Sequence, residues 1–405
     1  MKRLILLALI PFILYPCTSA IISGKATIDG RPLLWKHRDT DELENKAVYV
    51  AEAGKLAYIG IANHSDSLNQ EIWMGSNEAG FSIMNTASYN LNIGEKADVP
   101  DDQEGLFMRQ ALEKCRNLAD FENMLEATKG ERGVAANFGV IDAQGGAAYY
   151  ETGCHSYVKY DANDPMTAPE GYLIRTNFSQ SGQPNAGYGY IRYTSTSNLF
   201  FQKMRGGKLS ANFLILEASR NLNHSLLQQD LRKMPPSNDA LTPHYVLFRD
   251  YVVRHNSASV LVVRGVKKDE NPELSALYYL PGWSLSALTI PLWVALGENF
   301  PDEIKSKSSA EPPILNQKAL LLKKLCYPVT AGSGESYLNL SPLINVQNGG
   351  FDRKIREGDQ LILNNIEALL LSFYDKQKLN HRDIQKFYKW YIPFVLDFYA
   401  QGNTQ

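Results

Sequence analysis

Cysteine is scarce: four thiols in 405 residues, at Cys17, Cys115, Cys154 and Cys326. No C-x-x-C occurs, and no His/Cys cluster has metal-ligand spacing, so a zinc-type site is not expected. The seven histidines form no i, i+4 pair on a predicted helix. Charge of one sign is lacking as well, with a formal net charge of −2. With no basic run interleaved with aromatics, nucleic acid is not an expected partner, and neither is an anionic membrane surface. Beyond the first fifteen residues no apolar stretch reaches membrane-spanning length; Ala287–Leu296 is brief and broken by Pro291. Gly332-Ser333-Gly334 lacks the strand and spacing of a nucleophile elbow. Asp101-Asp102 sits in a polar loop, and no cofactor-binding motif stands out.

What is present begins with the leader. Lys2-Arg3 precedes the apolar run Leu4–Tyr15, the pattern of an export signal that ends at residue 16. The mature chain is expected in the periplasm or outside the cell, free or tethered by lipid at its start. Cys17 stands at the seam, in L-Y-P-C-T-S-A, and three readings compete. A lipid anchor needs a small residue before the cysteine, where this chain has Tyr15-Pro16. Cleavage after Thr18-Ser19-Ala20 would discard Cys17 with the leader. The third reading makes Cys17 the first residue of an enzyme. A free α-amine titrates near ~8 and a thiol near ~8.5, so the amine can accept the thiol proton. Nucleophile and general base then reside on one residue, once the peptide bond before it is cut. Such a site needs an anchor for the amine and donors for the tetrahedral oxyanion.

After the leader, hairpin signals dominate. Ala20–Thr27 and Arg31–Asp39 flank Asp29-Gly30, a dipeptide suited to a tight turn. Glu71–Gly75 and Phe81–Ser88 flank Asn77-Glu78-Ala79-Gly80; Ala136–Ile141 and Ala147–Glu151 flank a turn over 142–146. Apolar spacing predicts helices over Gln103–Cys115, Asp120–Thr128 with Asp120 as N-cap, Ser195–Met204 and Ser210–Ser219. Cys115 falls on the apolar face of the first of these. Strands return at Ser259–Arg264, Ala276–Leu280 and Ala287–Leu296. Strand runs separated by helix runs indicate an α+β fold with antiparallel sheets. Phe300–Pro313 reads as a linker between a main domain, 17–300, and a mostly helical extension, 314–405, packed on it. In that extension Ile362, Ile366, Leu369 and Phe373 share one helical face. Ile384, Phe387, Tyr388, Tyr391, Val395 and Phe398 share another, with a kink expected at Pro393. A Cys154–Cys326 disulfide is open, with nothing in the sequence to select it.

The stretch C-T-S-A-I-I-S-G-K-A-T-I-D-G-R-P-L-L-W-K-H-R-D resembles the start of an N-terminal-nucleophile (Ntn) hydrolase. More narrowly, it is similar to the branch holding the acyl-coenzyme A:6-aminopenicillanate acyltransferases and the choloylglycine hydrolases. G-S-N-E-A-G-F-S-I-M-N, N-F-G-V-I-D-A-Q-G, I-R-T-N-F and G-Y-I-R-Y follow in matching order, so the resemblance spans about residues 17–300. It implies a four-layer αββα sandwich and cleavage of a linear, non-peptide amide C–N bond, with hydrolysis and acyl transfer both open. Carried over by position, Cys17 matches the nucleophile and Asp39 the acid that holds its α-amine. Asn85 matches the residue whose backbone amide lines the oxyanion hole, Asn177 the side-chain donor, and Arg192 the arginine near the nucleophile. Relatives carry Arg where this chain has Lys36, so Lys36 and the adjacent Arg38 are candidates for that supporting role. Strand alternation puts His37 with Trp35 and Asp39, opposite Lys36 and Arg38. The expected partner is a small acyl amide, no cofactor or metal is implied, and the oligomeric state is open. Pocket loops are expected over Leu91–Glu104 and Asp161–Gly171.

Overall fold

The computed structural model describes residues 17–92, 99–306, 308 and 310–402. The leader, 1–16, and part of the expected Leu91–Glu104 pocket loop lie outside the described residues. Two antiparallel sheets form the centre. In the first, the order is β10 (Tyr172–Arg175), β1 (Thr18–Ile22), β2 (Leu33–Asp39), β14 (Ser257–Arg264), β15 (Ala276–Pro281) and β16 (Ile290–Leu292). In the second, strands follow chain order: β3 (Asn45–Val50), β4 (Tyr58–Asn63), β5 (Met74–Asn77), β6 (Ser82–Ala87), β7 (Ala136–Ile141), β8 (Ala147–Thr152) and β9 (Tyr157–Asp161). Two short ladders complete the strands: β11 (Asn223–His224) with β12 (Gln229–Asp230), and β13 (Tyr245–Leu247) with β17 (Tyr337–Asn339).

The three sequence-marked hairpins form where turn chemistry asks for them. The β1–β2 connection turns at Gly30 with φ 76°, a left-handed conformation that L side chains rarely adopt. β5 pairs with β6 and β7 with β8 across the other two turns. The sheets face each other. Ser19 of β1 hydrogen-bonds Tyr149 of β8 at 2.7 Å across the gap, and Ile21, Leu34, Met74, Met84 and Ile141 fill it.

Helices cover both outer faces. α1 (Glu104–Lys114) and α2 (Leu118–Ala127) pack on the second sheet through Phe107, Met108, Leu112 and Phe121. Phe121 meets Phe138 of β7 and Tyr150 of β8 edge-on. Cys115 is buried in this core. The N-cap of α2 is Asn117, which accepts from the Asp120 backbone N–H at 3.0 Å; Asp120 itself lies inside the first turn and binds the Arg116 N–H. On the first sheet lie α3 (Tyr190–Gly206), α4 (Ala211–Leu216), α5 (Ile314–Cys326), α6 (Gly350–Lys376) and α7 (His381–Gly402). The layers are therefore helix, sheet, sheet, helix, the αββα sandwich the resemblance implies.

Two elements depart from the sequence reading. α3 starts at Tyr190, not Ser195, because its cap is Gly189 at φ 89°, which gives no polar N-cap signal. Ala287–Leu296 yields only Ile290–Leu292 as strand before a 3-10 turn at Val294–Leu296. No disulfide joins Cys154 and Cys326, the pairing the sequence leaves open. The helix α7 runs on through Pro393.

The C-terminal helices share one apolar core with the first sheet. Arginines of the preceding chain pin α6 along one face: Arg232 to Asp352 (2.8 Å), Arg220 to Asp359 (2.6 Å) and Arg264 to Glu367 (2.8 Å). Asp359 also accepts from the backbone and hydroxyl of Thr289, so this buried carboxylate is fully engaged.

Candidate active site

Adjacent strands place the functional side chains by alternation. Cys17 directly precedes β1, and Thr18 faces His37 in the β1–β2 register, so Cys17 lies beside the last residues of β2. Every residue of β2 is buried. Trp35, His37 and Asp39 point to the helical side: Trp35 donates to Ser219 and His37 meets Ser284 at 3.2 Å. Lys36 and Arg38 point to the second sheet, as alternation requires. Lys36 Nζ donates to Asn85 Oδ1 at 2.7 Å and to the Trp73 carbonyl at 2.8 Å. Arg38 donates to Asn45 Oδ1 at 2.8 Å and lies over the Trp73 ring at 4.8 Å.

The Cys17 thiol sits 3.9 Å from the Asp39 carbonyl oxygen. The Cys17 carbonyl accepts a hydrogen bond from Arg192 Nη1, which also donates to Thr18 Oγ1 at 2.8 Å. Arg192 Nη2 donates to Asn177 Oδ1 at 2.8 Å, and Asn177 Nδ2 donates to the Ala87 carbonyl at 2.9 Å. Arg192 is buried to within 1% of full coverage, so it is no surface arginine. It enters on the first turn of α3, and Gly189 makes the approach possible: a Cβ there would stand 2.4 Å from Arg192 Nη2. Cys17, Asp39, Asn177 and Arg192 therefore meet at one end of β1 and β2. Asn85 joins through Lys36, which lies within electrostatic reach of Cys17.

The Asp39 carboxyl is held by residues from far along the chain. Oδ1 accepts from Ser257 Oγ at 2.7 Å and lies 3.3 Å from His37 Nδ1; Oδ2 accepts from Arg254 Nε at 3.2 Å. A bulge in the β2–β14 pairing between Ser257 and Ser259 brings these groups to the strand end. Burial alone would raise the Asp39 carboxyl, but Arg254, His37 and Arg192 outweigh it and hold it below the ordinary carboxylate value. Burial lowers Lys36 to about 7, opposed by the neighbouring Cys17, and lowers Arg192 to about 10. Burial and the nearby Asp102 raise Glu104 to about 7.

Sequence reasoning missed Arg254 and Ser257. The predicted strand began at Ser259, and without the β2–β14 pairing nothing put its start opposite Asp39. The loop Asp161–Gly171 is not at this site. Gly171 accepts from Ser23 N–H and Asn163 binds Ser23 Oγ, at the far end of β1. Among the described residues no group of His, Cys, Asp or Glu is placed to hold a metal, and no helix is long and apolar enough to cross a membrane.

Such a site has a thiol, a carboxylate kept ionised, a guanidinium fixing the backbone of the thiol residue, and two asparagines. Comparison with known proteins gives a family. The sequence model of the acyl-coenzyme A:6-aminopenicillanic acid acyl-transferase family matches residues 32–231, about half of the chain. Asp39, Asn85, Asn177 and Arg192 lie inside that segment; Cys17 precedes it, and Arg254 and Ser257 follow it. No curated protein matches the chain. Among solved structures, it is similar to a Caenorhabditis elegans N-acylethanolamine-hydrolyzing acid amidase ortholog, at 17% identity over 46% of this chain and 79% of that one, with a TM-score of 0.33. It is similar to penicillin V acylase from Agrobacterium tumefaciens at 9% identity, 69% and 86% coverage and a TM-score of 0.36. It is also similar to a mutant of conjugated bile acid hydrolase from Clostridium perfringens, at 10% identity, 68% and 92% coverage and a TM-score of 0.41.

Proposed function

We propose that this chain, which belongs to the acyl-coenzyme A:6-aminopenicillanic acid acyl-transferase family, is an exported amidase whose nucleophile is the N-terminal Cys17. The observation that carries the reading is the grip on Cys17: its carbonyl held by the buried Arg192, and its thiol packed against the strand end that carries the ionised Asp39. An acylated, lipid-anchored Cys17 fits this poorly, because the residue is 6% exposed and enclosed by β2 and α3.

Cutting the Pro16–Cys17 bond frees the α-amine, and the Asp39 carboxylate holds it as an ammonium or amine. In its neutral form the amine takes the thiol proton. The thiolate then forms an S–C bond at the carbonyl of a linear amide such as an N-acyl amino acid. The Asn85 backbone N–H and the Asn177 amide stabilise the resulting oxyanion. The C–N bond breaks as the α-ammonium returns its proton to the leaving amine, which leaves a thioester. Water attacks the thioester, releasing the acid and restoring the thiol; a second amine in place of water gives acyl transfer. Lys36 orients the Asn85 side chain, while Arg38 braces Trp73 and Asn45. The maturation step and the export both rest on the leader read in the sequence.

Stopped-flow assay of a chromogenic acyl amide tests this. The expected result is a burst of one acyl group per enzyme in the wild type and none in Cys17→Ala. Undiminished turnover in Cys17→Ala would overturn the reading.

A further inference from the structure

The Asp39 carboxylate is gripped by one short turn, Arg254-His255-Asn256-Ser257, and that turn is tied down on every side. Arg254 and Ser257 bind the carboxylate, and Arg254 N–H donates to Ser257 Oγ at 2.9 Å. The Thr40 N–H, next to Asp39, donates to the Asn256 carbonyl at 2.8 Å. Trp283 Nε1 donates to the Arg254 carbonyl at 3.0 Å. The His255 carbonyl accepts from Lys323 Nζ. Lys323 comes from α5 in the C-terminal extension, beyond the family-matched segment, and is 4% exposed.

A buried lysine is expensive to keep, since desolvation disfavours its charge and no carboxylate among the described residues is bonded to it. The rest of the buried face of α5 is neutral: Leu315, Ala319, Leu322 and Cys326 are apolar, and Asn316 donates its amide to the Leu43 carbonyl. We propose that Lys323 is a positioning residue of the active site: it fixes the Arg254–Ser257 turn and so sets the Asp39 carboxylate against the α-amine of Cys17. The inference rests on the reading of Cys17 given above. Through Lys323, the C-terminal helices become part of the catalytic unit and not an appended layer. The groups facing its ammonium are Asp39 and Glu335, which attract it, the His255 and Tyr327 rings, and the Arg254 guanidinium beyond the turn. Burial brings Lys323 to about 7.

Lys323→Met keeps the length of the side chain and removes the donor and charge. With a chromogenic acyl amide, kcat is expected to fall by about 10- to 100-fold with KM unchanged, the size of effect that misplacing a catalytic group brings. The acid limb of the kcat/KM profile is expected to move to higher pH, because Asp39 with one neighbouring cation fewer raises the pKa of the amine it holds. Lys323→Arg, which keeps charge and donors, is expected to recover most of the loss. Amide exchange at Thr40 and Ser257 is expected to quicken in Lys323→Met while exchange in β14 and β15 stays slow. A wild-type pH profile, or loss of activity that follows loss of fold with no change confined to Thr40 and Ser257, would overturn the proposal. If Cys17→Ala, assayed alongside, keeps its activity, the nucleophile reading fails; the exchange at Thr40 and Ser257 still decides separately whether Lys323 holds the turn.

Discussion

Strands β1 and β2 carry a charged cluster at each end, and the two clusters are built on different rules. At the hairpin end every guanidinium meets a carboxylate. Arg31 pairs with Asp29 and Glu270, Arg264 with Asp29 and Glu367, and the Tyr374 ring lies between the two arginines, 3.4 Å from one and 5.2 Å from the other. At the Cys17 end Arg254 meets a carboxylate, that of Asp39, and three buried cations rest on neutral acceptors: Lys36 on an amide and a carbonyl, Arg192 on a carbonyl, a hydroxyl and an amide, Lys323 on a carbonyl. Titration follows the partners. Burial would lower Arg264, but Tyr374, Tyr278, Asp29 and Glu367 reverse this and raise it, whereas Lys36 drops to about 7. One end is a clamp that holds its charge at any working pH. The other holds two lysines, Lys36 and Lys323, that burial brings to about 7, the condition proton-transfer chemistry requires.

The sharpest way to break the comparison is at its centre. Cys17→Ala is expected to cost amide turnover roughly 10³-fold or more, as loss of a nucleophile does, while the hairpin end keeps its ion pairs. Arg264→Ala attacks the other end. It leaves Asp29 to Arg31 alone and Glu367 without its arginine, and is expected to lose about 1–3 kcal/mol of stability in urea unfolding, the usual cost of removing a charged hydrogen-bond partner at a part-buried site. Activity per folded molecule should stay near the wild-type value. A large fall in kcat with unchanged stability would mean that the two ends are not separate in role.

A smaller effect separates the ends by pH. The unfolded chain carries Lys36 at its ordinary value of 10.5, the folded chain at about 7. Between those values the unfolded state binds the extra proton, so this group makes stability rise with pH across that window. Lys36→Met removes the contribution. Its stability relative to wild type should fall from pH 7 towards pH 10 and stay level below pH 7, as urea titrations at several pH values will show. A difference that does not vary with pH would contradict the lowered Lys36.

Much of this architecture was legible because its signals are local. Asp29-Gly30, Ala79-Gly80 and Gly145-Gly146 mark turns by backbone chemistry, and Phe107, Met108, Ala111 and Leu112 mark a helix face by period. The helix carrying Arg192 was half hidden, since a glycine cap leaves no polar signature. Asp39 was found by its place in the hairpin, yet the groups that make it an ionised anchor, Arg254 and Ser257, stand more than two hundred residues away. Only the antiparallel pairing of β2 with β14 and its bulge unite them. Lys323 is further still from any sequence cue, an ordinary lysine in a helix whose burial is fixed by tertiary packing. The Asp161–Gly171 loop was misplaced because turn-rich composition marks a surface connection without saying at which end of the sheet it lies.

The most direct test is the intact mass of the mature protein before and after brief exposure to an acyl amide. The account predicts a chain that begins at a free Cys17 and gains the mass of one acyl group, which Cys17→Ala does not gain. A chain beginning at Ile21, or a Cys17 carrying lipid, would contradict it.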